Sequence, residues 1–149
     1  MADAYTVALT LLSARELSES QLRTRLKRRQ IDADDIDAAV SRLKADRTLD
    51  DRRVALAIAR MESAIKHRGR ARVIQKVRQA GIDGDTAEEA VREVFEEVDE
   101  QDLLERAFER RLRGKAVKDL DDKGRARIVR GLVAQGFSLG AVLKRLKLE

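Results

Sequence analysis

Gly69-Arg70-Ala71-Arg72-Val73-Ile74 returns later in the chain as Gly124-Arg125-Ala126-Arg127-Ile128-Val129, each copy preceded by a cation, Arg68 or Lys123. Twelve residues beyond each glycine stands a second mark, Gly81-Ile82-Asp83 and Gly136-Phe137-Ser138. A shift of 51 residues back from the first copy gives a weaker version, Ser18-Glu19-Ser20-Gln21-Leu22-Arg23, closed by Gln30-Ile31-Asp32. Self-similarity at a fixed offset means a fold assembled from one small unit used repeatedly.

Apolar residues between these marks recur at helical spacing. Leu22 and Leu26, Val73 and Val77, and Ile128 and Leu132 occupy equivalent places in the three copies. Each is flanked by further stripes: Val7, Ala8, Leu11 and Leu12 before, Ile36, Val40 and Leu43 after; Val54, Ile58, Met61 and Ile65 before, Ala87, Val91 and Val94 after; Leu104, Ala107, Phe108 and Leu112 before, Val142 and Leu146 after. Such i, i+3, i+4 recurrence fits helices, not the period of two that a strand requires. The marks read as caps. Ser18 and Gln21 have capping-box spacing, and Gly69 and Gly124 fall at the same register just before the middle helix. Gly81 and Gly136 suit the left-handed position after a helix, and Asp32, Asp83 and Ser138 open the third helix behind the apolar residues Ile31, Ile82 and Phe137. The expected fold is all-α, an elongated array of three tandem three-helix repeats at residues 1–48, 49–98 and 99–149. Asp50 or Asp51 is expected to cap the start of the second unit. The offset grows from 51 to 55 in the third, which places an inserted loop or extra turn between Arg113 and Lys123.

Composition agrees. Among 149 residues there is no Pro, Cys or Trp, three Phe and one Tyr, with 40% charged residues. Absence of Pro favours helices, and so few aromatics suit small stacked units better than one large core. Net charge is +5, with the surplus in the C-terminal third. A basic balance fits contact with nucleic acid or an acidic protein surface, and equally a salt-bridged soluble surface. No stretch reaches the roughly 20 apolar residues of a membrane span, and no basic start followed by an apolar run marks a leader, so a cytoplasmic protein is expected.

Catalysis has no material here. Cysteine is absent and His67, in Lys66-His67-Arg68, is the sole histidine, so neither a zinc site nor a nucleophile–histidine pair can be assembled. The acids Asp32, Asp34, Asp35 and Asp37 lack EF-hand spacing and read as a helix start. No enzyme activity, metal or cofactor is expected. The binding candidates are the cations of the middle helices: Arg68, Arg70, Arg72 and Lys76 in the second unit, and Lys123, Arg125, Arg127 and Arg130 in the third. Arg70 corresponds to Arg125 and Arg72 to Arg127, so regular stacking would arrange them as a ladder matching a phosphate backbone. The competing reading is that these side chains cover apolar stems and pair with neighbouring acids.

Taken in order, Ser18-Glu19-x-x-Leu22-Arg23-x-x-Leu26, Leu49-Asp50-Asp51-x-Arg53-x-Ala55, Gly69-x-x-Arg72-Val73-x-x-x-Val77-x-x-x-Gly81-Ile82 and Gly136-Phe137-Ser138 make the chain resemble the RecX family, regulators of the RecA recombinase. The resemblance implies tandem three-helix repeats and a DNA-repair regulator of homologous recombination and the SOS response; a monomer is expected. The resemblance further implies a RecA nucleoprotein filament as partner and inhibition of recombinase, ATPase and coprotease activities; the basic helices add the expectation of contact with single- or double-stranded DNA through phosphates. Val54, Arg68 and Lys76 depart from the family pattern, which usually has an aromatic, a Tyr or Trp, and a Glu there. The alternatives are a helical DNA-binding regulator acting without RecA and a protein-interaction scaffold.

Overall fold

The computed structural model describes residues 3–147. Nine α-helices among them form three successive triplets: α1 (Ala4–Ala14), α2 (Glu19–Arg28) and α3 (Ala33–Ala45); α4 (Asp51–Arg60), α5 (Arg70–Gln79) and α6 (Gly84–Glu97); α7 (Glu100–Leu112), α8 (Asp122–Ala134) and α9 (Leu139–Leu146). No strand occurs among the described residues.

Local chemistry sets most of the boundaries. Ser18 Oγ accepts from the Gln21 N–H at 3.1 Å while Gln21 Oε1 accepts from the Ser18 N–H at 3.0 Å, a complete capping box. Asp3, Asp50, Asp83, Asp99, Asp121 and Ser138 each accept backbone N–H groups at the start of a helix. The repeat marks at the ends of the middle helices, Gln30, Gly81 and Gly136, all adopt left-handed backbone, with φ of 63°, 82° and 109°. The inserted segment contains a 3₁₀ turn, Val117–Asp119.

Two expectations are corrected. Gly124 does not precede the third middle helix: α8 starts two residues earlier, and Gly124 lies in its first turn, donating its N–H to Asp121 Oδ1 at 2.7 Å. The insertion supplies Asp121, a stronger cap than glycine, so the helix lengthens to meet it. Met61 and Ile65 do not continue the buried stripe of α4. A π-helical turn, Met61–Ile65, follows that helix. Its wider turn rotates the next residues around the axis, burying Glu62 and Ser63 and leaving Met61 50% and Ile65 70% exposed.

The interior also departs from three equal units. One cluster is confined to the first triplet, where Leu17, Leu22, Leu26, Val40 and Leu43 are buried. A second cluster runs without a break through the other two, from Val54 and Val73 to Phe108, Val117, Leu132 and Val142. Valine and alanine dominate the middle triplet, and its small side chains let α4 approach α6 closely through Ala55, Ala59, Ala87 and Ala90, all fully buried. The third triplet adds Phe108, a large buried side chain, and merging the two interiors removes more apolar surface from water than two small cores could.

The triplets meet through the repeat marks. Ser18 Oγ donates to the Ala80 carbonyl at 2.5 Å, and a Cβ on Gly81 would stand 2.6 Å from Ser20 Cβ and Oγ. At the next joint the Gly69 N–H donates to the Gln135 carbonyl at 3.0 Å and the Ala71 N–H to the Gly136 carbonyl at 3.4 Å. The C-terminal end of α5 therefore abuts the N-terminal end of α2, and the C-terminal end of α8 abuts the N-terminal end of α5. Each joint sets carbonyls left over at one helix end against donors at another, with helix dipoles of opposite sign in contact. This explains why Gly69 needs no side-chain cap: the neighbouring backbone supplies the acceptors.

Candidate functional site

The second joint opens on one side into a groove of about 1200 Å³. From the second triplet its lining takes Lys66, Arg68 and Arg72; from α7 and the turn after it, Arg110, Arg111, Arg113 and Lys115; from α8, Lys123 and Arg127. Nine cations thus face two carboxylates, Asp119 and Asp121, and Asp121 is already committed to capping α8. Small residues, Ala107, Gly124, Gly131 and Ala134, contribute to the lining and keep it concave.

Arg68, Arg72, Lys123 and Arg127, four of the eight candidates named from sequence, come together here. The other four do not line it. Arg70 lies 3.3 Å from the Glu100 carboxylate and stacks over Phe95 with 5.3 Å to the ring centroid. Arg125 is half-buried and donates to the Val117 carbonyl at 3.3 Å, which ties α8 to the inserted 3₁₀ turn. Lys76 is half-buried and Arg130 exposed, both outside the groove. Of the two rungs expected from the repeat, Arg72 and Arg127 both line the groove and Arg70 and Arg125 do not.

Of the five groove cations outside the eight candidates, Lys66 follows the π-helical turn and the other four lie at the C-terminal end of α7 and just beyond it, outside the repeated phrase. Arg113 closes that helix in left-handed backbone at φ 52°, and Gly114 follows at φ 83°, so the chain reverses sharply between two cations. The signal was present as a run, Arg110-Arg111-x-Arg113-x-Lys115, but only the tertiary fold sets it across from Arg68 and Arg72.

Two groove residues, Lys66 and Arg68, are held by a buried acid. Glu62, 5% exposed on the π-helical turn, lies 3.3 Å from Lys66 Nζ and 3.1 Å from Arg68 Nε. Its Oε2 accepts no hydrogen bond, so the side-chain contact with Arg68 is an ion pair, beside a backbone bond from the Arg68 N–H to the Glu62 carbonyl at 3.0 Å. His67 turns the chain between these partners at φ 54°, and its carbonyl accepts from Gln135 Nε2 at 3.1 Å. By contrast, among the described residues Arg110, Arg111, Arg113, Lys115, Lys123 and Arg127 have no carboxylate within ion-pair distance. Such a concave, uncompensated positive surface suits a polyanion, whose neutralisation releases counterions. Among the described residues no cluster of His, Asp or Glu is placed to hold a metal ion, and no helix is long and apolar enough to cross a membrane.

Residues 4–43 match the first three-helix domain of RecX and residues 50–91 the second. The regulatory protein RecX of Syntrophotalea carbinolica is 32% identical over 136 residues, covering 91% of this chain and 89% of its own length. The chain belongs to the RecX family. That family is one of regulatory proteins, and its three-helix domains are those seen in the first two triplets. The RecX of Oceanobacillus iheyensis is 26% identical over 93% of this chain, which spans only 50% of that longer relative. A crystal structure of a regulatory protein RecX superposes with a TM-score of 0.83 at 23% identity, covering 98% of this chain and 70% of that one, a likeness of fold.

Proposed function

We propose that this RecX-family chain binds a RecA filament on DNA and restrains it, lowering recombinase, ATPase and coprotease activity by binding and without chemistry of its own. The observation that carries the reading is the groove at the second joint, with nine cations against two carboxylates, in a chain whose relatives are named regulatory proteins. A nucleoprotein filament presents phosphate at regular spacing together with protein surface, and the two faces of this chain divide accordingly. The groove takes the phosphates, while the first unit, residues 1–48, which contributes nothing to its lining, is left for protein contact. The protein acts as a monomer in the cytoplasm, in three units at 1–48, 49–98 and 99–149.

The deciding experiment adds purified protein to RecA on single-stranded DNA and follows ATP turnover. Inhibition at a protein-to-RecA ratio near that of filament binding supports the reading. Unchanged turnover with DNA binding retained would establish the second reading, a DNA-binding protein acting without RecA, which the groove by itself favours.

A further inference from the structure

Gly131 sits inside α8, in its last turn, where glycine costs up to about 1 kcal/mol relative to alanine. Its backbone is not among the positive-φ glycines, so no turn requires it. Position 131 corresponds by the repeat offsets to Lys76 in α5 and Arg25 in α2, so the third triplet has removed a cation from its middle helix. What fills the space is a cation from the preceding helix. A Cβ on Gly131 would overlap Cζ and Nη1 of Arg111 and stand 3.0 Å from its Nε. The guanidinium lies against α8, with Nη2 donating to the Gly131 carbonyl at 3.2 Å and to Gln135 Oε1 at 3.3 Å.

We propose that Arg111, seated on α8 by the gap Gly131 leaves, is a phosphodiester-contacting residue of the groove, and that Gly131 is its positioning residue. Two protein acceptors fix one nitrogen, and the remaining N–H donors have no protein partner among the described residues. A planar, anchored guanidinium loses little freedom when it meets an anion, which is where arginine surpasses lysine at phosphate. Gln135, the second anchor, also bonds the His67 carbonyl beside Arg68, so the seat of Arg111 is continuous with the joint itself. The inference rests on the reading of the groove as a nucleic-acid surface.

The test measures binding of a labelled mixed-sequence oligonucleotide, single-stranded and duplex in separate arms, over a range of salt. The proteins are the full chain, Arg111→Ala, Gly131→Ala and the double variant. Arg111→Ala is expected to weaken binding about tenfold and to lower the salt slope by about one. Gly131→Ala, which removes no charge, is expected to do the same while melting no lower than the parent, because alanine favours the helix. The double variant is expected to bind no worse than Arg111→Ala. Gly131→Ala binding like the parent, or losses that multiply in the double variant, would overturn the proposal while leaving the groove reading intact. A polyglutamate peptide that competes as well as the oligonucleotide would overturn the phosphate assignment in favour of an acidic protein segment. Failure of the parent to bind either nucleic acid overturns both. The arm with the steeper dependence on Arg111 names the form of nucleic acid that occupies the groove.

Discussion

Gly69 and Gly136 meet with no room for a side chain between them: a Cβ on Gly136 would stand 2.6 Å from the Gly69 carbonyl oxygen and from Arg72 Cβ, and one on Gly69 would overlap the Gly136 backbone. Two marks that look like independent punctuation in the sequence are the two halves of one contact. Gly136→Ala combines that overlap with a φ of 109°, so a loss of about 2–4 kcal/mol is expected, read as a fall in the urea midpoint with unchanged slope. Gly140, in α9 with open space around it, is the control; alanine there should stabilise by about 0.5–1 kcal/mol.

Gln30 holds the same position at the end of α2 that Gly81 and Gly136 hold after α5 and α8, with φ 63°. Gln30 is exposed, whereas Gly81 lies against Ser20 and Gly136 against Arg72 and Gly69. The neighbour, not the turn alone, demands glycine at the other two. Gln30→Gly should relieve left-handed strain and raise stability by about 1 kcal/mol, measurable as a rise of a few degrees in melting temperature.

The structure divides the eight cations that the repeat nominates. Charge reversal at Arg72 and Arg127, which share the groove, should weaken oligonucleotide binding on the order of a hundredfold at low salt. Reversal at Arg70 and Arg130 should cost much less, since Arg70 is paired with Glu100 and Arg130 lies elsewhere. Fluorescence anisotropy on the two double variants checks it, and equal losses would mean that general charge, rather than the groove, governs binding.

Acid should loosen the link between α7 and α9. The Arg145 guanidinium, at 2.5 and 2.8 Å, holds the Glu105 carboxyl below its ordinary value of 4.5. A carboxyl depressed in the folded state stabilises above that ordinary value, and the stabilisation disappears as pH falls through the folded value. Glu19, held down chiefly by Lys44, acts in the same direction, whereas burial raises Asp51 and gives it the opposite slope above 3.8. Glu105→Gln should therefore be less stable than the parent at neutral pH and show a flatter decline below about pH 4.5 in denaturant titrations.

Most of the helical order was legible because its signals are local. Ser18, Asp83 and Ser138 bond their own first turns, and the Leu22, Val73 and Ile128 stripe needs only periodicity. Where a residue's partner lies in another triplet, the sequence was silent. It showed Gly69 and Gly136 as separate marks, and it could not set Arg111 across from Arg68. The π-helical turn was hidden for a different reason. Val54, Ile58, Met61 and Ile65 continue an α-helical stripe on paper, and no residue type announces the extra residue in the turn that brings Glu62 inward. Gly124 misled because the four-residue insertion before it brought a better cap.

The continuous interior of the second and third triplets has a consequence for how the protein comes apart. Residues from Val54 to Leu146 share one cluster, whereas the first triplet keeps its own and is joined by polar contacts such as Ser18 with Ala80 and Glu16 with Arg53. Cooperativity follows contiguous apolar contact, so the last two triplets should open together while the first can melt alone. Native-state hydrogen exchange would then report two classes of amide, with Leu22 and Leu26 exchanging through a lower-energy opening than Val77 and Leu132. A chain of equal units would fray from either end; this one is expected to release its first triplet first, while the other two hold the groove in shape.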